Sequence, residues 1–187
     1  RYPSPVPFVP GSRFNNFGLT YGYGVKNVER FKDGTGLNSL DTLNNEDEYF
    51  VWDNWRRRQV TELVRKISSL VKVKSAGLAV SCAVIPVIER AYSNAFQDWS
   101  AWLEEGIIDY AVLMSYTKDN QFIKEAVKSS MGHRGKGKIY VGIGAFLMQD
   151  NLDLFFNQFS LVTELVPDGI VLYSIDDLTD QVIGCLN

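Results

Sequence analysis

From residue 49 onward, the hydrophobic positions switch repeatedly between two periods. Val60, Leu63, Val64, Ile67 and Val71 recur at helical spacing and predict a helix over 49–72. "GLAVSCAV" (77–84) then reads as a continuous apolar strand, and "FQDWSAWLEEG" (96–106) as a helix stopped by its glycine. "IIDYAVLMSY" (107–116) is a second apolar strand, and "DNQFIKEAVKSSMG" (119–132) a helix capped by Asp119 or Asn120. "KIYVGIGAF" (138–146) and "GIVLYSI" (169–175) are the third and fourth strands. The helices "DNLDLFFNQFSLVTEL" (150–165) and "DDLTDQVIGCL" (176–186) complete the alternation.

Continuous apolar strands alternating with helices predict an α/β fold with a parallel sheet covered on its faces. Two architectures fit, an open doubly wound sheet and part of a (β/α)₈ barrel. A whole barrel takes roughly 250 residues, so 187 residues supply about half of one. The doubly wound sheet would be favoured by a nucleotide signature, but "GIGAF" lacks the third glycine and the downstream acid of a dinucleotide fingerprint. The first 48 residues follow neither period. Proline, glycine, asparagine and aromatic residues alternate in "PGSRFNNFGLTYGYG", broken by the short helical candidate "KNVERFK" (26–32) and closed by "DGTG". So long a loop is usually functional or disordered, and its aromatics argue for order.

Composition narrows the function classes. A net charge of −3 with 45% apolar residues leaves no basic footprint for nucleic acid or an anionic membrane. No apolar run is long enough to span a bilayer. Cys82 and Cys185 are far apart and suggest neither a disulfide scaffold nor a metal site; they would permit one bond in an oxidising compartment, but two small buried hydrophobes is the favoured reading. The single histidine, His133, lies in "GHRGKGK" before the third strand and supports neither a metal centre nor a nucleophilic triad. No metal and no cofactor are expected.

Taken together, "YFVWDNWRRRQVTELVRKI", "FQDWSAWLEEGIIDYAVLMSYT", "KIYVGIGAFL" and "GIVLYSIDDL" resemble the glycoside-hydrolase-like family ten. These are (β/α)₈-barrel proteins of bacterial cell envelopes and surfaces. The resemblance implies that "RYP" opens just past the end of barrel strand four. Residues 1–48 would then be the long β4–α4 loop and 49–187 the βα units five to eight, together one domain forming the carboxyl-terminal half of a TIM barrel. The main catalytic carboxylates would precede Arg1, and this chain alone would be inactive. The implied activity is glycoside hydrolysis of a polysaccharide, with peptidoglycan glycan strands as the envelope substrate. The implied location is the cell envelope or outside the cell, in a secreted or lipoprotein parent. The other half-barrel would come from an N-terminal portion or from a second copy in a homodimer. The alternative is a non-catalytic carbohydrate-binding module, favoured if no acidic residues stand just upstream of Arg1.

A barrel site forms at the carboxyl ends of its strands. The exits here are Cys82–Pro86, then Met114, Ser115 and Tyr116, then Gly144, Ala145 and Phe146, then Tyr173, Ser174 and Asp176. Met114, Tyr116 and Tyr173 are candidates for substrate contact, the tyrosines by stacking beneath a sugar ring or bonding its hydroxyls; a buried, satisfied Tyr is the competing reading. Arg56 shares a helical stripe with Val60, Leu63 and Ile67, so it faces inward near a helix start and needs an anionic partner. That partner would be an acid from strand four, a substrate carboxylate or a structural salt bridge. Trp52, one turn earlier, packs beside it, while Arg57 and Arg58 fall off the stripe and are expected in solvent. Arg1 and Tyr2 follow the implied catalytic strand and would line the cleft. Phe8, Phe14, Phe17, Tyr21 and Tyr23 form either a sugar platform or a mini-core that orders the loop. Among carboxylates near exits, Glu89 is the freest and a weak catalytic candidate. Asp98, Asp176 and Asp177 read as helix starts, Asp150 stands beside them, and Asp109 is a structural residue at the opposite strand end. Trp99 and Trp102 read as core.

Overall fold

Four strands, β1 (Ser81–Val84), β2 (Tyr110–Met114), β3 (Lys138–Gly144) and β4 (Gly169–Tyr173), form one sheet in the order β1-β2-β3-β4. Every pairing is parallel, with Ser81 opposite Tyr110, Tyr110 opposite Lys138 and Tyr140 opposite Gly169. The computed structural model describes residues 22–185. Its helices are α1 (Val25–Thr35), α2 (Glu46–Lys74), α3 (Ile88–Asn94), α4 (Trp99–Glu104), α5 (Asn120–Met131), α6 (Leu152–Glu164) and α7 (Asp180–Cys185). No described helix is long and apolar enough to cross a membrane.

Strand alternation divides the sheet into two unlike faces. Ala111, Leu113, Ile139, Val141 and Ile143 are fully buried and form one core with Trp99 and Trp102 of α4, Ile123 and Val127 of α5, and Phe155 and Val162 of α6. The alternate residues Tyr110, Val112, Met114 and Tyr140 are only half-buried, and Ser81 and Ala83 are exposed. Helix packing therefore falls on one face. Sequential strand order produces this, because crossovers of constant hand keep returning to the same side. A doubly wound sheet reverses its order and carries helices on both faces; the described sheet does neither.

The chain ends of each element match their local chemistry. Asp119 caps α5, its carboxylate accepting from the N–H groups of Gln121 and Phe122 at 2.9 and 3.0 Å. Asn45 and Asn151 cap α2 and α6 in the same way. Asp109 is structural, as its position predicted: it accepts from Val80 N–H at 2.7 Å and ties the start of β2 to β1. Asp168 repeats the device, accepting from Ile139 N–H at 2.9 Å. Trp99 and Trp102 are core residues whose indoles donate to Ile85 O (3.1 Å) and Thr61 Oγ1 (2.9 Å).

Several boundaries differ from expectation. The first strand begins at Ser81 rather than Gly77, and among the described residues it pairs on one side, with β2. Gln97 occupies part of its other side, accepting from Ile85 N–H at 2.9 Å and donating to Ala83 O at 3.3 Å. The stretch after β1, expected as loop, contains α3. The expected closing helix is split into a 3₁₀ turn (Ile175–Asp177) and α7. "KNVERFK" is helical and lies within α1.

The helix α2 corrects the expected stripe. Trp52 and Arg56 are buried under the α1 corner, whereas Leu63 and Ile67 on that stripe are 59% and 48% exposed. The 29 residues of α2 span about 43 Å and the 11 of α1 only about 16 Å, so α1 covers one end alone. Val60 and Val64 pack against the main core. Arg57 is not in solvent either: it is 7% exposed, donates to Tyr92 O and Asn54 Oδ1 at 3.1 and 2.7 Å, and stacks 3.5 Å from the Tyr92 ring centre. It joins α2 to α3, the helix that the sequence pattern did not show. Arg58 is exposed as expected.

Candidate functional site

Three aromatic side chains converge where β2, β3 and β4 end. Tyr116 lies two residues beyond β2, Phe146 two beyond β3, and Tyr173 is the last residue of β4. Tyr116 and Tyr173 stack with ring centres 5.3 Å apart and planes 21° from parallel. Phe146 meets both edge-on, at 5.9 Å from Tyr116 and 6.2 Å from Tyr173. Tyr173 and Phe146 remain 53% and 40% exposed. Met114, half-buried, sits in register with Gly142.

Glycine makes room for this cluster. A Cβ at Gly144 would lie 3.0 Å from Phe146 and 3.3 Å from Tyr116, so the notch in β3 lets the rings approach the strand. The loop bearing Tyr116 is held from behind by Gln158 of α6, which is fully buried. Its amide nitrogen donates to Thr117 O and to Asn120 Oδ1, both at 3.0 Å. The loop after β4 is closed by Asp177, whose carboxylate takes the Ser174 hydroxyl at 2.7 Å and the Ser174 N–H at 3.1 Å. Those bonds, with one from Gln149, hold the Asp177 carboxyl below its ordinary value.

Arg56 belongs to a different neighbourhood. It is 5% exposed and forms an ion pair with Asp53, one turn back on α2. Its guanidinium lies 4.5 Å from the Phe96 ring centre, 5.0 Å from Trp52 and 5.8 Å from Tyr23. Phe96 reaches it from a left-handed backbone (φ 55°), a conformation that costs a non-glycine residue about 1 kcal/mol. Trp52 is fully buried, stacked on Trp55 at 5.3 Å and edge-on to Phe31 at 4.8 Å, so it packs the α1 corner and offers no ring face to a ligand. Tyr23 joins the same mini-core; burial pushes its phenol up in pKa against the opposing pull of Arg56. A cleft of about 240 Å³ runs beside Arg56 between Gly22, Asn27, Trp55, Gln59 and Phe96. Tyr116 and Tyr173 are not among its lining residues.

The remaining candidates are dispersed. Glu89 is exposed in the first turn of α3, and Asp98 stands at the start of α4 without a side-chain cap bond. Asp150 and Asp176 are exposed. Burial raises the Cys82 thiol's pKa and keeps it protonated at neutral pH. Among the described residues no three His, Cys, Asp or Glu side chains gather as metal ligands. Arg1, Tyr2, Phe8, Phe14, Phe17 and Tyr21 lie outside the described residues. The sequence reading named Phe146 only as a strand exit; its equal offset from β3 as Tyr116 from β2 is the signal that would have added it to the site.

Stacked ring faces with phenolic tips suit the apolar faces and hydroxyl edges of sugars. A family model described as glycosyl hydrolase-like 10 matches residues 13–151. A search of the curated proteins finds no match.

Proposed function

Because the chain belongs to the glycosyl hydrolase-like 10 family, we propose that it is half of a (β/α)₈ barrel that binds and hydrolyses a polysaccharide. The aromatic cluster Tyr116–Phe146–Tyr173 carries this reading, since barrel enzymes build their sites at the carboxyl ends of adjacent strands. In this reading β1 to β4 are barrel strands five to eight, and peptidoglycan glycan strands of the cell envelope are the substrate. Hydrolysis of a glycosidic bond uses two carboxyl groups, one of raised pKa. The reading assigns at least one to strand four, ahead of Arg1, with Glu89 as the candidate within the chain. Asp53 already neutralises Arg56, so that arginine holds the α1 corner and the substrate carboxylate is not required as its partner. The other half-barrel is supplied by an N-terminal portion of a longer chain or by a second copy, and the assembly works at the envelope or outside the cell.

The test is strand binding and release of new reducing ends from purified peptidoglycan glycan strands, by this chain and by a longer chain containing it. Tyr116→Ala and Tyr173→Ala should each weaken strand binding by roughly tenfold. Wild-type affinity in both variants would remove the reading. A second reading, a carbohydrate binder without hydrolysis, is favoured by Asp177: this carboxylate, four residues past Tyr173, is held ionised by three hydrogen bonds. Tight strand binding with no reducing ends released by the longer chain would select it.

A further inference from the structure

Phe146 lies just past β3 and Tyr173 ends β4, so the gap between their rings depends on how the segments that follow the two strands are joined. Asp177 joins them. Its Oδ2 accepts from the N–H and hydroxyl of Ser174, the residue directly after Tyr173. Its Oδ1 accepts from the Gln149 side-chain amide at 2.6 Å, three residues after Phe146 and 28 before Asp177. The Ser174 N–H bond alone would serve the capping box at the 3₁₀ turn. The Gln149 bond does something else, crossing between the loops with the added strength of an ionised acceptor. Three donors also favour the anion, the reverse of what a catalytic acid at a strand exit requires.

We propose that Asp177 is a positioning residue of the glycan site, latching through Gln149 the loops that present Phe146 and Tyr173, so that with Tyr116 they form a preformed stacking surface. The inference rests on the glycan reading above. A preformed surface avoids the ordering cost that a mobile one bears on binding, so affinity and KM should respond, and kcat should not.

The test is a double-mutant cycle in the glycan-binding chain, read by calorimetric binding of purified peptidoglycan glycan strands and by the ring NMR signals of Tyr173. Asp177→Asn should weaken binding by about tenfold, and Gln149→Ala by about threefold. Both should shift the Tyr173 ring signals and, in the longer chain that releases reducing ends, raise KM and leave kcat within about twofold. In a Tyr173→Ala background, Asp177→Asn should cost less than about twofold more, because its effect passes through that ring. Equal losses in both backgrounds, unchanged ring signals, or a collapse of kcat at full affinity would each overturn the latch. Gln149→Ala keeps the Ser174 bonds and carries the test alone should Asp177→Asn fail to fold. Loss of binding in Tyr173→Ala with none in Asp177→Asn or Gln149→Ala sinks the latch only; undiminished binding in Tyr116→Ala and Tyr173→Ala sinks the glycan reading itself.

Discussion

Arg56 and Asp53 stand one turn apart on α2, and removing the arginine would leave a carboxylate against the aromatic corner of Trp52 and Phe96. Arg56→Ala should therefore destabilise the chain by about 3–5 kcal/mol in urea unfolding. Arg56→Lys should recover only part of that, since an ammonium keeps the charge but not the planar stacking. The inward direction of Arg56 was legible from helical spacing. Its partner was not, because spacing identifies a face and not what lies across from it. Arg57 shows the same limit: it was expected in solvent until α3 supplied Tyr92 as a cover. Asp177 gives a pH prediction. Its folded carboxyl lies below the ordinary 3.8, so the latch contributes fully above that value and is lost as pH falls through the lower folded one. An NMR titration of Asp177 should show a midpoint under 3.8, with the Tyr173 ring signals following it; Asp177→Asn should abolish that step.

At the level of elements, periodicity located α2 and each parallel strand, but it could not say how much of an apolar face is covered. Leu63 and Val64 are neighbours with opposite fates: one is 59% exposed and the other packs on the main core. Leu63→Lys should change stability by less than about 0.5 kcal/mol, while Val64→Ala should cost about 1 kcal/mol or more. Both are read by the midpoint of chemical unfolding. β3 makes a sharper prediction. A methyl at Gly142 would stand 2.8 Å from the Leu113 carbonyl oxygen on the adjoining strand, so Gly142→Ala should force β2 and β3 apart and cost about 1–3 kcal/mol. In the sequence those glycines read as a weak nucleotide signal. Their use, room for a carbonyl and for Tyr116, depends on strand register and appears only once β2 and β3 are side by side.

For the whole molecule, the alternation of strands and helices was enough to give the parallel α/β class, and the observed order then separates a singly wound sheet from a doubly wound one. That order places β2 and β3 inside and β1 and β4 at the rims. Amide hydrogen exchange should accordingly be slowest at Ala111, Leu113, Ile139 and Val141 and fastest along β1 and β4. The homodimer arm of the half-barrel proposal requires this chain by itself to dimerise, as light scattering would show; a well-behaved monomer would eliminate that arm and leave the longer chain. One rim has a built-in limit. Val80 O and the Ser81–Tyr110 register orient residues 80, 82 and 84 toward β2, leaving the amides of Ser81, Ala83 and Ile85 to point outward. Gln97 has already taken Ala83 O and Ile85 N–H. A strand added at this rim, as the half-barrel proposal requires, would therefore compete with the Gln97 side chain for Ala83 O and Ile85 N–H.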